Sequence, residues 1–244
     1  MMRRTFSWPN WSRRQWIRYL LAGLVLVFVL YQLSFILRIA WYQHVNPTAS
    51  SFMRATIHEL RAEDPTASIV HQWVDYQQIS PHLVRAVIAS EDANFLYHNG
   101  VEWDAIRDAW DYNRAQASKG SSRRRGGSTI TQQLAKNLFL SPKRSYLRKA
   151  QELILAYMIE LLLSKERIIE LYLNVAQWGH RHFGAEAAAR RYFNTSASRL
   201  TAQQAAQLAV MLPNPRYYDT HGSTPYLRQR TQTIAQRMRL VDTP

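Results

Sequence analysis

The sequence predicts an all-α domain carried on a single N-terminal membrane-spanning helix. Three observations predict it: an uncharged apolar run at residues 19–37, helical spacing of apolar residues through most of the remainder, and a near absence of alternating strand patterns. At 244 residues, the chain can form one medium domain with a real core plus an appendage. It has no cysteine, which excludes a disulfide framework and any thiolate metal or nucleophile site.

The run at 19–37 is mostly Leu, Val, Phe and Ile. Nineteen residues at about 1.5 Å each give roughly 28 Å, close to the hydrocarbon thickness of a bilayer. It ends in Phe35-Ile36-Leu37-Arg38, a poor cleavage site, so it reads as an anchor and not as a removable signal. Arg3, Arg4, Arg13, Arg14 and Arg18 precede it, which places residues 1–18 in the cytoplasm as a basic tail. Trp16, Tyr19, Trp41 and Tyr42 flank the span as interfacial anchors. The working part is then expected on the far side of the cytoplasmic (inner) membrane, in the periplasm. The formal charge is +14, and the seven arginines before Glu59 account for half of it, leaving +7. A basic domain held at a membrane suits phospholipid headgroups or a polyanionic lipid-linked substrate, although charge alone is equally compatible with a solvated surface. The location excludes nucleic acid as a partner.

Residues 38–74 form a connector or membrane-proximal segment, with helical spacing at 51–61 that Pro65 ends. The main domain is expected at 75–230 and a C-terminal tail at 231–244. Ser80-Pro81 is a helix start, serine as N-cap and proline in the first turn. The helix 82–90 follows, with Leu83, Val84, Val87 and Ile88 at core spacing. Residues 104–115 read as a further helix, and 117–127, without hydrophobic period, as a mobile loop. Helices then follow at 129–139, 145–163, 165–173, 184–192 and 201–212. Pro213, Pro215 and Pro225 punctuate the last thirty residues before a short final helix.

Three segments carry chemistry. Glu91 and Asp92 follow an apolar helix and precede Phe95, Leu96 and Tyr97. Partial burial raises a carboxylate pKa toward the range useful for proton transfer, though an arbitrary Glu-Asp pair more often caps a helix or meets an arginine. In Gly126-Gly127-Ser128-Thr129 the glycines permit close backbone approach, and Thr129 with Gln132 forms a capping box. Amides at such a helix start bind anions, and Lys136 lies near the same face, so a phosphate or diphosphate is the natural ligand. An ordinary cap with a solvated lysine remains the alternative. Arg144, Arg148 and Glu152 share a helix face. Glu152 either forms a surface ion pair or orients cations that hold a diphosphate, directly or through a divalent metal.

Together these segments resemble the peptidoglycan glycosyltransferases, the family that polymerises lipid II. The matching stretches are Glu91-Asp92-x-x-Phe95-x-x-His98-x-Gly100, then Gly126-Gly127-Ser128-Thr129-Ile130-Thr131-Gln132-Gln133-Leu134-x-Lys136-Asn137, then Arg148-Lys149-x-x-Glu152 and Glu170-x-Tyr172-Leu173-Asn174. The last continues to Gly179, Phe183-Gly184, Ala187-Ala188 and Tyr192-Phe193, so the resemblance covers roughly residues 75–215. A transpeptidase domain has no room before residue 244, which fits the monofunctional members.

The resemblance implies a lysozyme-like helical head with a small, mobile, membrane-proximal jaw. It implies an inverting transfer in which the 4-hydroxyl of an incoming lipid II attacks the lipid-linked end of the growing glycan, and undecaprenyl diphosphate leaves. Glu91 would be the general base, and Glu152 would organise the cations or a Mg²⁺ or Mn²⁺ ion associated with the diphosphate. Substrate contacts would come from Asp92, Phe95, His98, Gly127, Ser128, Thr129, Gln132, Gln133, Lys136, Asn137, Arg144, Arg148 and Lys149. Penicillin-binding proteins and the division machinery would be partners. The sequence departs from the family pattern at Gln177, at His180-Arg181-His182 and at Gln204, the last still able to complete a capping box with Thr201. Two other readings stand beside this one: a lysozyme-like lytic enzyme, which needs no diphosphate cradle, and a non-catalytic membrane-anchored cell-wall partner.

Overall fold

The computed structural model describes residues 12–121, 126–143 and 145–244. The first helix, α1 (Arg13–Trp41), starts at a capping box between Ser12 and Gln15 and runs for 29 residues. It extends beyond the expected 19–37 at both ends, and its most apolar window has a mean hydropathy of 2.5 with little of it buried in the protein. Only Gln32, Phe35 and Ile39, one stripe at its C-terminal end, are buried.

That stripe docks on two later helices, α5 (Ile130–Phe139) and α6 (Tyr146–Leu162). Phe35 meets Phe139 edge-on at 5.5 Å, and Tyr42 stacks on the same ring at 6.1 Å. Gln32 and Gln151 exchange two amide hydrogen bonds, at 2.9 and 3.0 Å. The connector is packed as well. Its helix α2 (Ser51–Glu63) is capped by buried Ser50, seats Met53 in the core and packs on α5. From α2, Glu59 holds Arg216 at 2.7 Å.

The centre is helix on helix. α3 (Pro81–Glu91) packs on α9 (Ala202–Met211) and α11 (Pro225–Arg237), while α5 packs on α6 and α7 (Lys165–Val175). α3 begins as its sequence dictates, with Ser80 accepting from His82 and Pro81 in the first turn. Its buried face is Leu83, Val84, Val87 and Ile88. Between α3 and α5 lies α4 (Trp103–Ser118). Past α7, β2 (His182–Phe183) pairs in parallel with β1 (Val70–His71), and α8 (Ala185–Phe193) follows. The helix α10 (Pro215–His221) precedes α11. Trp178, Tyr172, Phe95 and Phe183 are the largest side chains of the core.

The all-helical class with an N-terminal apolar helix is what the sequence predicts. Three expectations change. α4 runs through Ser118, because Ala115, Gln116 and Ala117 sustain the helix into the segment expected to be a loop, while residues 122–125 of that loop lie outside the described residues. The last thirty residues hold two helices, not one short helix. Finally, α11 crosses the expected boundary at 230 and buries Leu227, Thr231 and Ile234 against α9, so the tail begins only after Arg237.

Candidate active site

Glu91 is the last residue of α3, and the chain turns away at Asp92, whose φ of −163° leaves the helix. The Glu91 carboxylate accepts from Gln133 Nε2 at 2.9 Å on Oε2 and from Ser90 Oγ at 3.5 Å on Oε1. Gln133 is itself oriented, since the Tyr172 hydroxyl donates to its Oε1 at 3.0 Å. Burial holds the Tyr172 phenol well above its ordinary pKa, with the charges of Glu91 and Asp92 adding to it, so it stays a donor. The relay leaves the amide of Gln133 only one useful orientation, with nitrogen toward Glu91. Burial pushes the Glu91 carboxyl up from its ordinary value, against the pull of Gln133, Ser90 and the Lys136 charge.

Asp92 faces the other way and is buried. It accepts from the Ile130 amide at 2.9 Å and from His98 Nε2 at 2.9 Å. The Gly100 amide donates to His98 Nδ1 at 3.1 Å, which puts the proton of a neutral ring on Nε2. Gly100 has a φ of +88° and an added Cβ would lie 2.9 Å from Ala156 O, so only glycine serves here.

The start of α5 is therefore not an open anion cradle. Its Ile130 amide is taken by Asp92, and Thr129 and Gln132 satisfy each other through the predicted capping box. The glycine step has a packing reason too, because a Cβ on Gly127 would stand 2.8 Å from Ala105 O of α4. Phe95 and Gln132 are fully buried and Asn137 nearly so, which makes them supports of the site and not open surface. His98, bonded to Asp92, belongs with them.

Cations gather where α5 meets α6. Glu152 is buried and accepts from Arg148 Nη1 at 3.0 Å and Lys149 Nζ at 2.5 Å, one on each oxygen. Lys149 also donates to Ser128 Oγ at 3.0 Å. Lys136 sits one turn beyond Gln133 on α5 with Phe52 beneath it at 5.6 Å. Burial lowers its ammonium pKa first; Glu152 and Glu91 oppose this, while Arg148 and Lys149 reinforce it. Arg148 and Lys149 thus share one buried carboxylate with Lys136 close by, and the buried Arg148 Nε has no hydrogen-bond partner. The surplus positive charge calls for an anion. Arg144, expected with this group, lies outside the described residues.

A cleft of about 850 Å³ opens beside Glu91, with Gln133, Gly127 and Ser128 on its α5 side, the start of α4 on another and α11 on a third. Ser128 links the cleft to the cation group through Lys149. Sequence reasoning gave no role to Tyr172 or to α11; Tyr172 sits within a quoted motif, whereas α11 lies past the last one. The departures at 177–182 stay out of the cleft. Gln177 Nε2 closes the turn on Gly179 O at 2.8 Å, and His180 bonds Asp219 and Thr220. Gln204 completes its capping box with Thr201.

Glu152 does not fit the metal-ligand role. Both its oxygens are engaged by cations, and no three His, Asp or Glu side chains gather to hold a metal among the described residues.

A relay-held, half-buried carboxylate in a cleft, next to cations that outnumber their carboxylate, is an arrangement able to take a proton beside an anionic substrate, and it stands on a chain with an apolar anchor helix. The transglycosylase family model matches residues 56–239. The biosynthetic peptidoglycan transglycosylase of Bordetella pertussis is 59% identical over 239 residues, covering 97% of this chain and 99% of that protein. Proteins of the same name from Paraburkholderia xenovorans (53% over 230 residues, 94% of each chain) and Herminiimonas arsenicoxydans (52% over 220 residues, 90% of this chain and 94% of that one) are also similar. The chain belongs to the peptidoglycan transglycosylase family.

Proposed function

We propose that the protein is a peptidoglycan glycosyltransferase of cell-wall biosynthesis that polymerises lipid II into β-1,4 glycan strands. The observation that carries this reading is the Tyr172–Gln133–Glu91 relay set beside cations that outnumber their carboxylate. Glu91 Oε takes the proton from the 4-hydroxyl of the acceptor as that oxygen bonds to C1 of the donor sugar. The C1–oxygen bond to the diphosphate breaks, the configuration inverts, and the electron pair leaves with undecaprenyl diphosphate. Lys136, Arg148 and Lys149 stabilise the charge that develops on the leaving group. Asp92, His98, Phe95 and Gln132 hold α3 and α5 in register for this. A divalent cation, where one takes part, arrives with the diphosphate, and no step depends on a protein metal site. The anchor α1 supports a single-pass inner-membrane protein with the N-terminus cytoplasmic and the enzyme domain periplasmic, in contact with phospholipid and with other wall-synthesis proteins.

The test is polymerisation of purified lipid II by the full chain and by Glu91→Gln. A positioned general base contributes about 10²- to 10⁴-fold, and a loss in that range is expected with the fold retained. A variant as active as the parent removes Glu91 from the role. Release of fragments from intact sacculi without polymer from lipid II would instead make this a lytic enzyme.

A further inference from the structure

Helix α11 presents two unlike faces. Leu227, Thr231, Ile234 and Met238 are buried against the domain. Tyr226, Arg230 and Arg237, at spacings of four and seven, share the other face, and all three line the cleft that holds Glu91. Arg230 is half-buried, yet neither Arg230 nor Arg237 has a side-chain hydrogen bond or ion pair among the described residues. A partly buried guanidinium without an anion is costly and normally finds one. The cleft's acids do not supply it. Glu91 is held by Gln133, and Glu102 accepts from Asn94. Asp104 and Asp108 line the cleft from α4, and Glu102 lines it from the residue just before that helix. The cleft is thus charge-segregated, acidic from α4 and basic from α11, with the proposed base between them. It is also separate from the cation group on α5 and α6 that the leaving diphosphate would use.

The geometry points to α11 as a specificity element that reads the peptide substituent of the acceptor, with Arg230 and Arg237 taking its carboxylates and Tyr226 covering its stem. This rests on the glycosyltransferase reading above and deepens it. Arg230 is half-buried and Arg237 exposed at the cleft rim, and a planar guanidinium matches a carboxylate with two parallel hydrogen bonds. A peptide that carries both an amine and carboxylates complements the two charged walls together. The chemistry at Glu91 needs none of these side chains, so they set acceptor affinity and leave the transfer step alone.

The experiment compares lipid II with its natural peptide against lipid II whose peptide carboxylates are all converted to amides, using the full-length protein and its Arg230→Gln/Arg237→Gln double variant. The double variant is expected to raise KM for natural lipid II about 10-fold, the worth of one charge-assisted hydrogen bond, with kcat within about twofold. The amidated substrate is expected to show the same KM with both proteins, and Arg230→Lys with Arg237→Lys to recover part of the natural-substrate KM. A KM rise of equal size on both substrates, an unchanged KM, or a loss confined to kcat overturns the inference while leaving the function intact. A parent enzyme that makes no polymer from either substrate overturns the function and this inference together.

Discussion

Gln133 Nε2 lies 2.9 Å from Glu91 Oε2, and that bond is aimed by the Tyr172 hydroxyl on the far end of the same amide. A carboxylate that must accept a proton is held ionised by its donors and pushed toward the neutral form by burial, and here burial is the larger effect. Activity should therefore rise with pH through a Glu91 pKa that lies above the ordinary carboxylate value. Gln133→Leu removes a contact that lowers that pKa. The acid limb of kcat/KM should move to higher pH, with an activity loss of about tenfold at neutral pH. A pH–rate profile of the variant checks this, and a limb that stays put would mean Gln133 is not the group tuning Glu91.

Lys136 should define the opposite limb. Burial depresses its pKa, so it loses its charge at lower pH than a free lysine, and stabilisation of the leaving diphosphate fades as pH climbs through that value. Lys136→Met should lower kcat by about 10²-fold at neutral pH and abolish the alkaline fall. Lys136→Arg should keep the charge at every accessible pH, so its profile should flatten on the alkaline side even if its rate is lower. A wild-type alkaline fall that persists in Lys136→Arg would assign that limb to another group.

What was legible in the sequence was local. The Thr129–Gln132 capping box, the Ser80-Pro81 helix start and the apolar anchor all depend on residues within one or two turns, and each appears in the structure. The Asp92 carboxylate on the Ile130 amide joins residues 38 apart, and no local pattern announces that it fills the anion position the glycine-rich segment offers. The roles of Asp92 and His98 could not be told from substrate contacts for that reason. The α11 face was hidden differently: a tyrosine and two arginines spaced four and seven apart read as a solvated helix face until the cleft beside it is known.

Glu152 is the buried counter-ion of its neighbours, so removing it should cost stability as well as rate. Glu152→Gln leaves Arg148 poorly compensated, and breaking a buried ion pair costs about 3 kcal/mol. A lower melting temperature in detergent is expected together with slower polymerisation. Because both Glu152 oxygens already bind cations, the fold-change on chelating divalent metal should be the same for wild type and variant. A variant that loses its metal response while wild type keeps it would place a metal ion on Glu152.

The two amide bonds between Gln32 and Gln151 join the anchor helix to α6, the helix that carries Arg148, Lys149 and Glu152. Gln32 lies within the apolar run, where an unpaired amide has no water to turn to. Either single change to leucine therefore leaves one buried amide without its partner, whereas the double change replaces both with apolar groups. Each single variant should destabilise the folded protein by about 1 kcal/mol or more. The double variant should cost less than the sum, with a coupling of about 0.6 kcal/mol or somewhat above. A thermal double-mutant cycle in micelles measures it. If the two costs simply add, the amides do not act as a pair, and the Phe35 and Tyr42 rings around Phe139 of α5 remain as a separate contact of the anchor with the domain.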